Sequence, residues 1–383
     1  MGPTRVLVVS HTYVEAWQRA KLELLGACEG IELAVLVPAR WKSAFGRMDG
    51  GDRGRRSGVE PAGERTYTLI RGRELFSGRL RDYCFLPGTL PAVLRRVRPQ
   101  VVYVEAEMDS RVLAQFVRCK RRYGYRLVAF GWENVARPGN RAQFSLPRWW
   151  LRKVRYRRER ANLQRVDKVV WGNLEGAALV RAAGFAGPVH VLPQLGVDPA
   201  VYAPGDRRAA RQVVGLPTEG VIIGFVGRLV PSKGLWTLCR ALDEGLRAGR
   251  WRLLIVGGGP LERALRAWAG ALCRPGAVHF AEAVPRGAVP EYLRALDVLV
   301  LPSESTPLWK EQFGHVLIEA MACGVPVVGS DSGAIPEVIG AAGLLFPEGD
   351  AVALRTKLEE LLDDPQLSRA LIARGHAQVA RKY

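Results

Sequence analysis

The stretch EQFGHVLIEAMACGVPVVGS, residues 311–330, decides the fold of the chain. Its apolar residues follow a helical pattern up to Gly324, and glycine readily adopts the left-handed conformation that ends a helix. Pro326 cannot continue a helix, and the Val-rich run around it indicates a buried strand. We therefore predict a helix over residues 314–323 that is followed directly by the strand Val325–Gly329.

The same alternation of short apolar runs with helical patterns extends along the whole chain. Continuous apolar strands separated by helices indicate parallel sheets covered by helices on both faces. The predicted strands form two sets of six, so we expect an α/β protein with two doubly wound, Rossmann-like domains. The first set is Val6–Val9, Leu33–Val37, Val101–Val104, Leu127–Phe130, Val169–Trp171 and Val189–Leu192, and the second is Val221–Val226, Leu253–Val256, Val278–Phe280, Val298–Leu301, Val325–Gly329 and Gly343–Phe346.

The boundary between the two predicted domains lies in PQLGVDPAVYAPGD, which is rich in Pro and Gly and lacks periodicity. We assign residues 1–192 to an N-terminal domain, 193–206 to a linker and 207–365 to a C-terminal domain. Residues 366–383 are predicted to form a polar C-terminal helix. Residues 40–65 carry many Gly and Arg, so we predict a mobile loop there.

Composition limits the classes of protein to which the chain can belong. The chain has 383 residues, and no apolar run approaches the roughly 18 residues that are needed to span a bilayer. The first apolar run, Val6–Val9, is too short for a signal peptide. Six scattered cysteines without a CxxC pair indicate reduced thiols, and neither a disulfide framework nor a zinc site. We therefore expect a cytoplasmic protein.

Residues 118–165 carry most of the net charge of +19, because they hold fifteen Arg and Lys and only two Glu. Such a stretch suits an anionic partner, namely lipid headgroups, nucleic acid or an acidic glycan. Tryptophan favours the membrane–water interface, so we predict reversible docking on the inner face of the membrane. The alternative is a solvated Arg-rich face with the tryptophans packed under the first domain. The predicted membrane patch comprises Trp149, Trp150, Arg152, Lys153, Arg155, Arg157 and Arg158.

The predicted helix after Phe313-Gly314 offers free backbone N–H groups to an anion at the carboxyl end of a strand. Glu319 lies about five residues into this helix, roughly 7 Å along its axis. That separation matches the distance from a phosphate to the ribose of a nucleotide. Glu311 precedes the helix and would face the group attached to the outer phosphate.

A second candidate anion site follows two other predicted strands. In GFVGRLVPSKG, residues 224–234, Arg228 and Lys233 are suited to hold a diphosphate. In LLIVGGGPL, Gly257 and Gly258 form a turn that a ligand could approach closely. The GxGxxG spacing of a dinucleotide fold is absent. Taken singly, these residues are equally consistent with surface cations and a packing turn.

Together these motifs resemble family 4 retaining glycosyltransferases of the GT-B fold. The resemblance rests on Glu311 and Glu319 separated by seven residues, and on GRLVPSKG, GGGPL and PQLGVD in the family's order. It covers the second domain and extends back to about Val166. It implies two domains that face each other across a cleft, with a nucleotide sugar bound to the second.

The resemblance also implies a role for each matching residue. Arg228 and Lys233 would hold the donor diphosphate, and Glu311 would contact the donor sugar, so these three form the expected catalytic set. Glu319 would bind the ribose. The expected donor-binding set is Glu319, Phe313, Gly314, His315, Val316, Gly257, Gly258 and Val284, in which residues 314–316 offer amides and Val284 lines the base pocket.

The first domain departs from the family pattern and leaves the acceptor unidentified. SHTYVEAW lacks the family's Gly-Gly loop, and GWENVARP lacks its histidine. His11, Glu133 and Asn134 remain candidate acceptor contacts, although His11 fits a structural role equally well. The segment after Gln366 is short for the helix that the family returns to the first domain, which predicts a truncated C-terminus.

The predicted function is hexosyl transfer, with retention, from a UDP- or GDP-sugar to a glycan or lipid-linked acceptor in cell-envelope or exopolysaccharide synthesis. No Asp-x-Asp motif occurs, so no metal and no cofactor are expected. The alternatives are a nucleotide-sugar epimerase of the same architecture and a catalytically silent carbohydrate-binding relative. A nucleic-acid-binding protein would explain residues 118–165 but not the donor residues, so no nucleic acid is expected as a partner.

Overall fold

The computed structural model of the chain describes residues 2–41, 58–60, 65–135, 146–193, 195–272 and 274–383. The side chains of residues 17, 58–60, 146–149 and 151–152 lie outside that description. The chain divides into two compact units. Unit 1 comprises Met1–Gly172 and Gly176–Leu192, and unit 2 comprises Asn173–Glu175 and Pro193–Tyr383.

Unit 1 is built on a sheet of eight strands in the order β10-β9-β8-β7-β1-β2-β4-β3, and all neighbours are parallel except β3 and β4. A two-stranded antiparallel ribbon, β5-β6, accompanies it. The strands are β1 Thr4–Val9, β2 Ile31–Pro38, β3 Gly58–Glu60, β4 Thr68–Gly72, β5 Glu74–Leu75, β6 Cys84–Phe85, β7 Val101–Glu105, β8 Arg126–Gly131, β9 Lys168–Trp171 and β10 Val189–Val191. The helices are α1 Ala20–Gly26, α2 Thr89–Val97, α3 Arg111–Tyr123, α4 Leu146–Leu163 and α5 Leu174–Ala182, of which the first two residues of α5 belong to unit 2.

Both faces of this sheet are buried, as the apolar strands predict. In β1, Leu7 and Val9 belong to one hydrophobic cluster, whereas Val8 between them belongs to the cluster on the other face. Successive strand residues point to opposite faces, so a sheet covered on both sides needs an unbroken apolar run.

Unit 2 is built on a fully parallel sheet of six strands in the order β13-β12-β11-β14-β15-β16. Its strands are β11 Val221–Val226, β12 Trp251–Val256, β13 Val278–Ala281, β14 Val298–Leu301, β15 Val327–Ser330 and β16 Leu344–Phe346. Its helices are α6 Arg207–Val213, α7 Leu235–Ala248, α8 Glu262–Gly270, α9 Val289–Arg294, α10 His315–Ala322, α11 Ile335–Ile339, α12 Ala351–Asp363 and α13 Pro365–Lys382. Two doubly wound, Rossmann-like sheets confirm the predicted fold class.

Unit 1 differs from the sequence prediction at one edge of its sheet. The prediction of six strands was wrong, because β4 and β3 extend the sheet beyond β2. The missed strand β4 contains Arg71, which is buried, and this charge interrupts the apolar run that marks other strands. Residues 58–60 were expected in a loop and form β3, while 42–57 and 61–64 lie outside the described residues.

The last helix, α13, packs within unit 2 against α10. The two helices approach closely at Gly375, where an added Cβ would lie 3.2 Å from the side chain of Met321. Leu371 and Val379 are buried on the same side of α13. The polar helix predicted at the end of the chain therefore has an apolar stripe, and this stripe supports the back of α10.

Candidate functional site

The first turn of α10 presents backbone amides that have no hydrogen-bond partner among the residues that the structure describes. Gly314 precedes the helix with φ of 79°, a left-handed conformation that favours glycine, and no side chain caps the helix. The first intrahelical hydrogen bond is donated by the amide of Leu317. The amides of His315 and Val316 are thus available to an anion, as the sequence predicted for a helix N-terminus.

Glu319 lies on α10, one turn beyond those amides, and is held by two basic side chains. Its Oε1 is 3.0 Å from Nδ1 of His315 and 3.6 Å from the guanidinium of Arg286. Burial alone would raise the pKa of Glu319, but the hydrogen bond from His315 and the charge of Arg286 outweigh burial and lower it. Glu319 is therefore an ionised, oriented hydrogen-bond acceptor.

Lys233 and Glu311 form an ion pair although they lie 78 positions apart in the sequence. Lys233 ends the short helical turn Pro231–Lys233 after β11, and Glu311 lies between β14 and α10. The ammonium group of Lys233 donates to Oε2 of Glu311, and the hydroxyl of Ser303 donates to the same oxygen at 2.7 Å. The side chains of Lys233 and Glu311 are only 13% and 9% exposed, so water screens this pair weakly.

The loops after β11 and β12 pack directly on one another. Gly257 has φ of 136°, and an added Cβ would lie 1.9 Å from the carbonyl oxygen of Gly227. The amide of Leu229 donates to the carbonyl of Gly258 at 2.9 Å. Arg228 lies in the same loop with an exposed side chain. The strands β12, β11 and β14 are adjacent and parallel, so the loops at their carboxyl ends lie side by side. The edge of the sheet that carries Lys233 therefore also carries Arg228, Gly257 and Gly258.

The two remaining donor-side candidates lie at the periphery of this group. Val284 follows β13, next to β12, and is half-buried against the core of unit 2. Phe313 packs its ring 5.6 Å from that of Tyr383 and 6.2 Å from that of His315. The structure thus collects the predicted donor residues at one edge of the second sheet.

In unit 1, the three acceptor-side candidates follow strands that lie on either side of β7. His11 follows β1, and Glu133 and Asn134 follow β8. The His11 ring lies 4.6 Å from Trp41 and 6.1 Å from Tyr83, and burial lowers the pKa of His11 to about 4. His11 is consequently neutral at pH 7, and its Nδ1 is buried without a hydrogen-bond partner in the described part of the chain.

The end of β7 and the segment directly after it carry three buried acidic residues that the sequence analysis missed. Glu105, Glu107 and Asp109 follow the apolar part of β7 at alternate positions. Burial, followed by the charge of Glu133, raises the pKa of Glu107 to about 8. Arg81 opposes this shift, with nitrogens 3.2 Å from Asp109 and 2.8 Å from Glu133. Alternating acidic residues immediately after a buried strand were the available signal.

Within α4 the cations divide between two faces. Arg155 pairs with Asp82 at 3.1 Å, and Arg158 donates to the carbonyl of Asp109, so both lie on the face of α4 that packs against the rest of unit 1. Trp150, Lys153 and Arg157 are exposed, whereas the side chains of Trp149 and Arg152 lie outside the described residues. Among the helices that the structure describes, none is both long and apolar enough to cross a membrane.

Residues 206–378 match the family described as Glycosyl transferases group 1, so this part of the chain is a glycosyl transferases group 1 domain. The chain is 38% identical over 208 residues to the D-inositol 3-phosphate glycosyltransferase of Acidothermus cellulolyticus, covering 51% of this chain and 44% of that protein. It is 37% identical over 204 residues to the GDP-mannose-dependent alpha-(1-6)-phosphatidylinositol monomannoside mannosyltransferase of Mycolicibacterium smegmatis, covering 51% and 53%. The chain thus spans about half the length of the curated relatives it matches.

Two solved structures resemble the chain over nearly its whole length. Sucrose-phosphate synthase from Thermosynechococcus elongatus has a TM-score of 0.71 and 22% identity, with 100% of this chain and 95% of that chain covered. Anabaena HepE in complex with UDP-glucose has a TM-score of 0.66 and 17% identity, with 99% and 95% covered. At these identities the likeness concerns the fold, which is GT-B.

The raised pKa of Glu107 predicts a pH-dependent effect of Glu107→Gln on stability. Native Glu107 binds its proton more tightly than the unfolded chain, so wild-type stability falls as pH rises from about 4.5 to about 8. Glutamine does not titrate, so the free energy of unfolding of the variant should rise relative to that of wild type by up to about 1.4 kcal/mol for each pH unit in this window. Urea unfolding at pH 5, 7 and 8.5 measures the difference.

Glu32→Gln serves as the matched control, because Glu32 is an exposed carboxylate on β2. Its stability profile should run parallel to that of wild type. A parallel profile for Glu107→Gln as well would show that Glu107 is already ionised at neutral pH in the folded protein.

Proposed function

We propose that the chain is a family 4 retaining glycosyltransferase that moves a hexose from a UDP- or GDP-sugar to a glycan or lipid-linked acceptor. The observation that carries this proposal is the meeting of Lys233 and Glu311 beside the first-turn amides of α10, within the glycosyl transferases group 1 domain. This arrangement combines a fixed cation, a helix N-terminus and a carboxylate. Those groups suit a leaving diphosphate and the hydroxyls of the sugar attached to it.

In this proposal the donor lies along the edge of the second sheet. Arg228 and Lys233 hold the diphosphate together with the amides of His315 and Val316. Glu319 accepts hydrogen bonds from the ribose hydroxyls, because its lowered pKa keeps it ionised. Phe313 and the Gly257-Gly258 turn border the bound donor, and Val284 lines the base pocket.

Positive potential at the diphosphate supplies most of the proposed catalysis. The acceptor oxygen bonds to the anomeric carbon on the face from which the diphosphate departs. The bond from that carbon to the phosphate oxygen breaks with its electron pair, and the acceptor proton passes to a phosphate oxygen. Fixed cations and amides stabilise the developing charge without reorganisation, so no metal ion is required in this scheme.

Glu311 is proposed to contact the donor sugar and not to attack it. Its Oε2 accepts hydrogen bonds from Lys233 and Ser303, and these stabilise the carboxylate charge and lower its nucleophilicity. A carboxylate fixed in this way is well suited to accept hydrogen bonds from sugar hydroxyls.

The relatives support a nucleotide-sugar donor without identifying the sugar or the acceptor. HepE was solved with UDP and with UDP-glucose, and one relative is named for GDP-mannose. We propose a role in cell-envelope or exopolysaccharide synthesis, with His11, Glu133 and Asn134 on the acceptor side. The direct test is nucleotide release from UDP- and GDP-sugars with and without lipid-linked acceptors.

That assay separates the proposal from its rivals. A transferase releases nucleoside diphosphate in proportion to glycosylated acceptor. An epimerase releases nucleotide and a changed sugar without any acceptor, and a silent carbohydrate-binding relative releases nothing. Repeating the assay in EDTA tests metal independence, because activity that EDTA abolishes and magnesium or manganese restores would contradict it.

Removing either donor-site cation should reduce turnover strongly while the protein stays folded. Loss of one charge-assisted hydrogen bond costs about 1.5–3 kcal/mol, so Arg228→Ala and Lys233→Met should each lower kcat/KM roughly ten- to a hundredfold. Arg369→Ala is the matched control, because Arg369 is an exposed cation on α13. Wild-type kinetics for Arg228→Ala or Lys233→Met would refute the donor-site assignment.

The two glutamates should separate into a binding role and a catalytic role. Ribose contacts are alike in the ground and transition states, so Glu319→Gln should mainly raise KM for the donor. Glu311→Gln should mainly lower kcat, since contacts at the reacting sugar change during the reaction. Steady-state kinetics on the two variants give the answer, and the opposite pattern would exchange the proposed roles.

We further propose that α4 docks the enzyme reversibly on the cytoplasmic face of an anionic membrane. Trp150, Val154 and Tyr156 are 56%, 50% and 49% exposed, and the exposed Lys153 and Arg157 lie on the same side of the helix. Arg155 and Arg158 are turned towards acidic groups of unit 1, so they contribute less to this surface. Each exposed cation near an anionic leaflet contributes about 1 kcal/mol.

Sedimentation with vesicles tests the docking. Binding should rise with anionic lipid content, fall with salt, and weaken when Lys153, Arg157 and Arg160 are changed to Gln. Removing three exposed cations elsewhere should leave binding unchanged, and Arg208, Arg250 and Arg369 provide that control. Equal binding to neutral and anionic vesicles, or none at low salt, would exclude electrostatic docking.

A further inference from the structure

The loop between β14 and α10 folds back on itself at Trp309. The amide of Thr306 donates to the carbonyl of Trp309 at 2.7 Å, and the amide of Trp309 donates to the carbonyl of Thr306 at 3.3 Å. The Thr306 hydroxyl also accepts from the amide of Leu308. Residues 304–312, here called the Trp309 loop, therefore have a defined internal structure.

This loop is anchored to unit 2 along its length. At its start, the amide of Glu304 donates to the carbonyl of Ser232 at 2.9 Å, beside Lys233. Further along, Lys310 pairs with Glu175 at 2.8 Å. At its end, the carbonyl of Glu311 accepts from the amide of Ala334 at 2.9 Å. These bonds hold the backbone on both sides of Trp309, so its ring has a fixed location.

The Trp309 ring contacts Lys233, the cation of the proposed donor site. The ammonium nitrogen lies 5.1 Å from the ring centroid, within the range of a cation–π interaction. The same ammonium group pairs with Glu311, so a carboxylate and an aromatic face share it. Lysine has a long, flexible stem, and two simultaneous contacts restrict where its charge can be.

Core packing does not account for Trp309. Its side chain is half-buried, and within the described residues it does not belong to the hydrophobic core of unit 2. The tip of its loop is exposed, with Leu308 at 68%. A tryptophan on an anchored surface loop against a lysine is better explained by that lysine than by stability.

We propose that Trp309 is a positioning residue that holds the Lys233 ammonium group where the β-phosphate of the donor binds. The inference rests on the proposed function of the donor site. When a diphosphate binds, one of its oxygens accepts a further hydrogen bond from the Lys233 ammonium group, which has three donors and keeps its pair with Glu311, while the aromatic face of Trp309 keeps the ammonium group in place.

Binding of nucleotides that differ only in the β-phosphate tests this role. Isothermal titration of the full chain with UDP, GDP, UMP and GMP identifies the base and isolates the phosphate that Lys233 would contact. Trp309→Leu removes the aromatic face and should weaken diphosphate binding between about twofold and thirtyfold. Monophosphate binding should stay within twofold of wild type, and Trp309→Phe, which keeps a ring, should lie between Leu and wild type.

A double-mutant cycle shows whether Trp309 acts through Lys233. In a Lys233→Met background, Trp309→Leu should cause no further loss of diphosphate affinity. An undiminished loss in that background, or equal weakening of mono- and diphosphates, would overturn the inference while leaving the donor site intact. If the wild-type chain binds no nucleoside diphosphate, the proposed donor site itself fails, and the role of Trp309 fails with it.

The urea midpoint of each variant distinguishes positioning from a structural role. Because Trp309 lies outside the core, the midpoint of Trp309→Leu should match that of wild type. If Trp309→Leu unfolds, Trp309→Phe replaces it in the comparison with wild type. The ratio of diphosphate to monophosphate affinity should then fall in Trp309→Phe if the ring positions Lys233, and should stay unchanged if the role of Trp309 is only structural.

Discussion

The ion pair of Lys233 with Glu311 is the interaction on which the donor-side geometry depends. Removing two charges from water is costly, and their attraction offsets that cost only with good geometry and further hydrogen bonds. Ser303 supplies such a bond, and Trp309 covers the ammonium group. The pair joins the loop after β11 to the segment that leads into α10, so the cation, the carboxylate and the helix amides share one frame.

Unit 1 uses buried charge differently. Burial, followed by the charge of Glu133, raises the pKa of Glu107 to about 8, while Arg81 bridges Asp109 and Glu133. Lys21 and the hydroxyl of Tyr13 both donate to one oxygen of Glu105 at 2.8 Å. The carboxyl edge of this sheet is consequently a network of acidic and basic groups in mutual contact. It differs from the donor edge of unit 2, where amides and cations converge.

Sequence reasoning succeeded where one simple periodicity determines the structure. The strands β11 and β14 have their predicted bounds, and α10 lies within one residue of its predicted bounds at each end, because apolar runs end there at Gly or Pro. It failed at β4, where Arg71 interrupts the run, and at Glu105–Asp109, where alternating acidic residues resemble a solvated loop. The two faces of α4 were equally unpredictable, since cations occur all around the helix and only tertiary partners such as Asp82 distinguish them. Trp309 carried no periodic signal, because its contact with Lys233 joins segments far apart in the chain.

The packing of α13 behind α10 has a mechanical consequence. An α-helix is stiff along its axis, so a displacement at its C-terminal end is transmitted to its N-terminal end. A Cβ added at Gly375 would lie 3.2 Å from the Cβ and Cγ of Met321, so Met321 would have to shift by a few tenths of an ångström to admit a larger side chain. The position of the backbone amides in the first turn of α10 therefore depends partly on Gly375, about sixty residues later in the chain. Substitutions in α13 can therefore change the position of the first turn of α10.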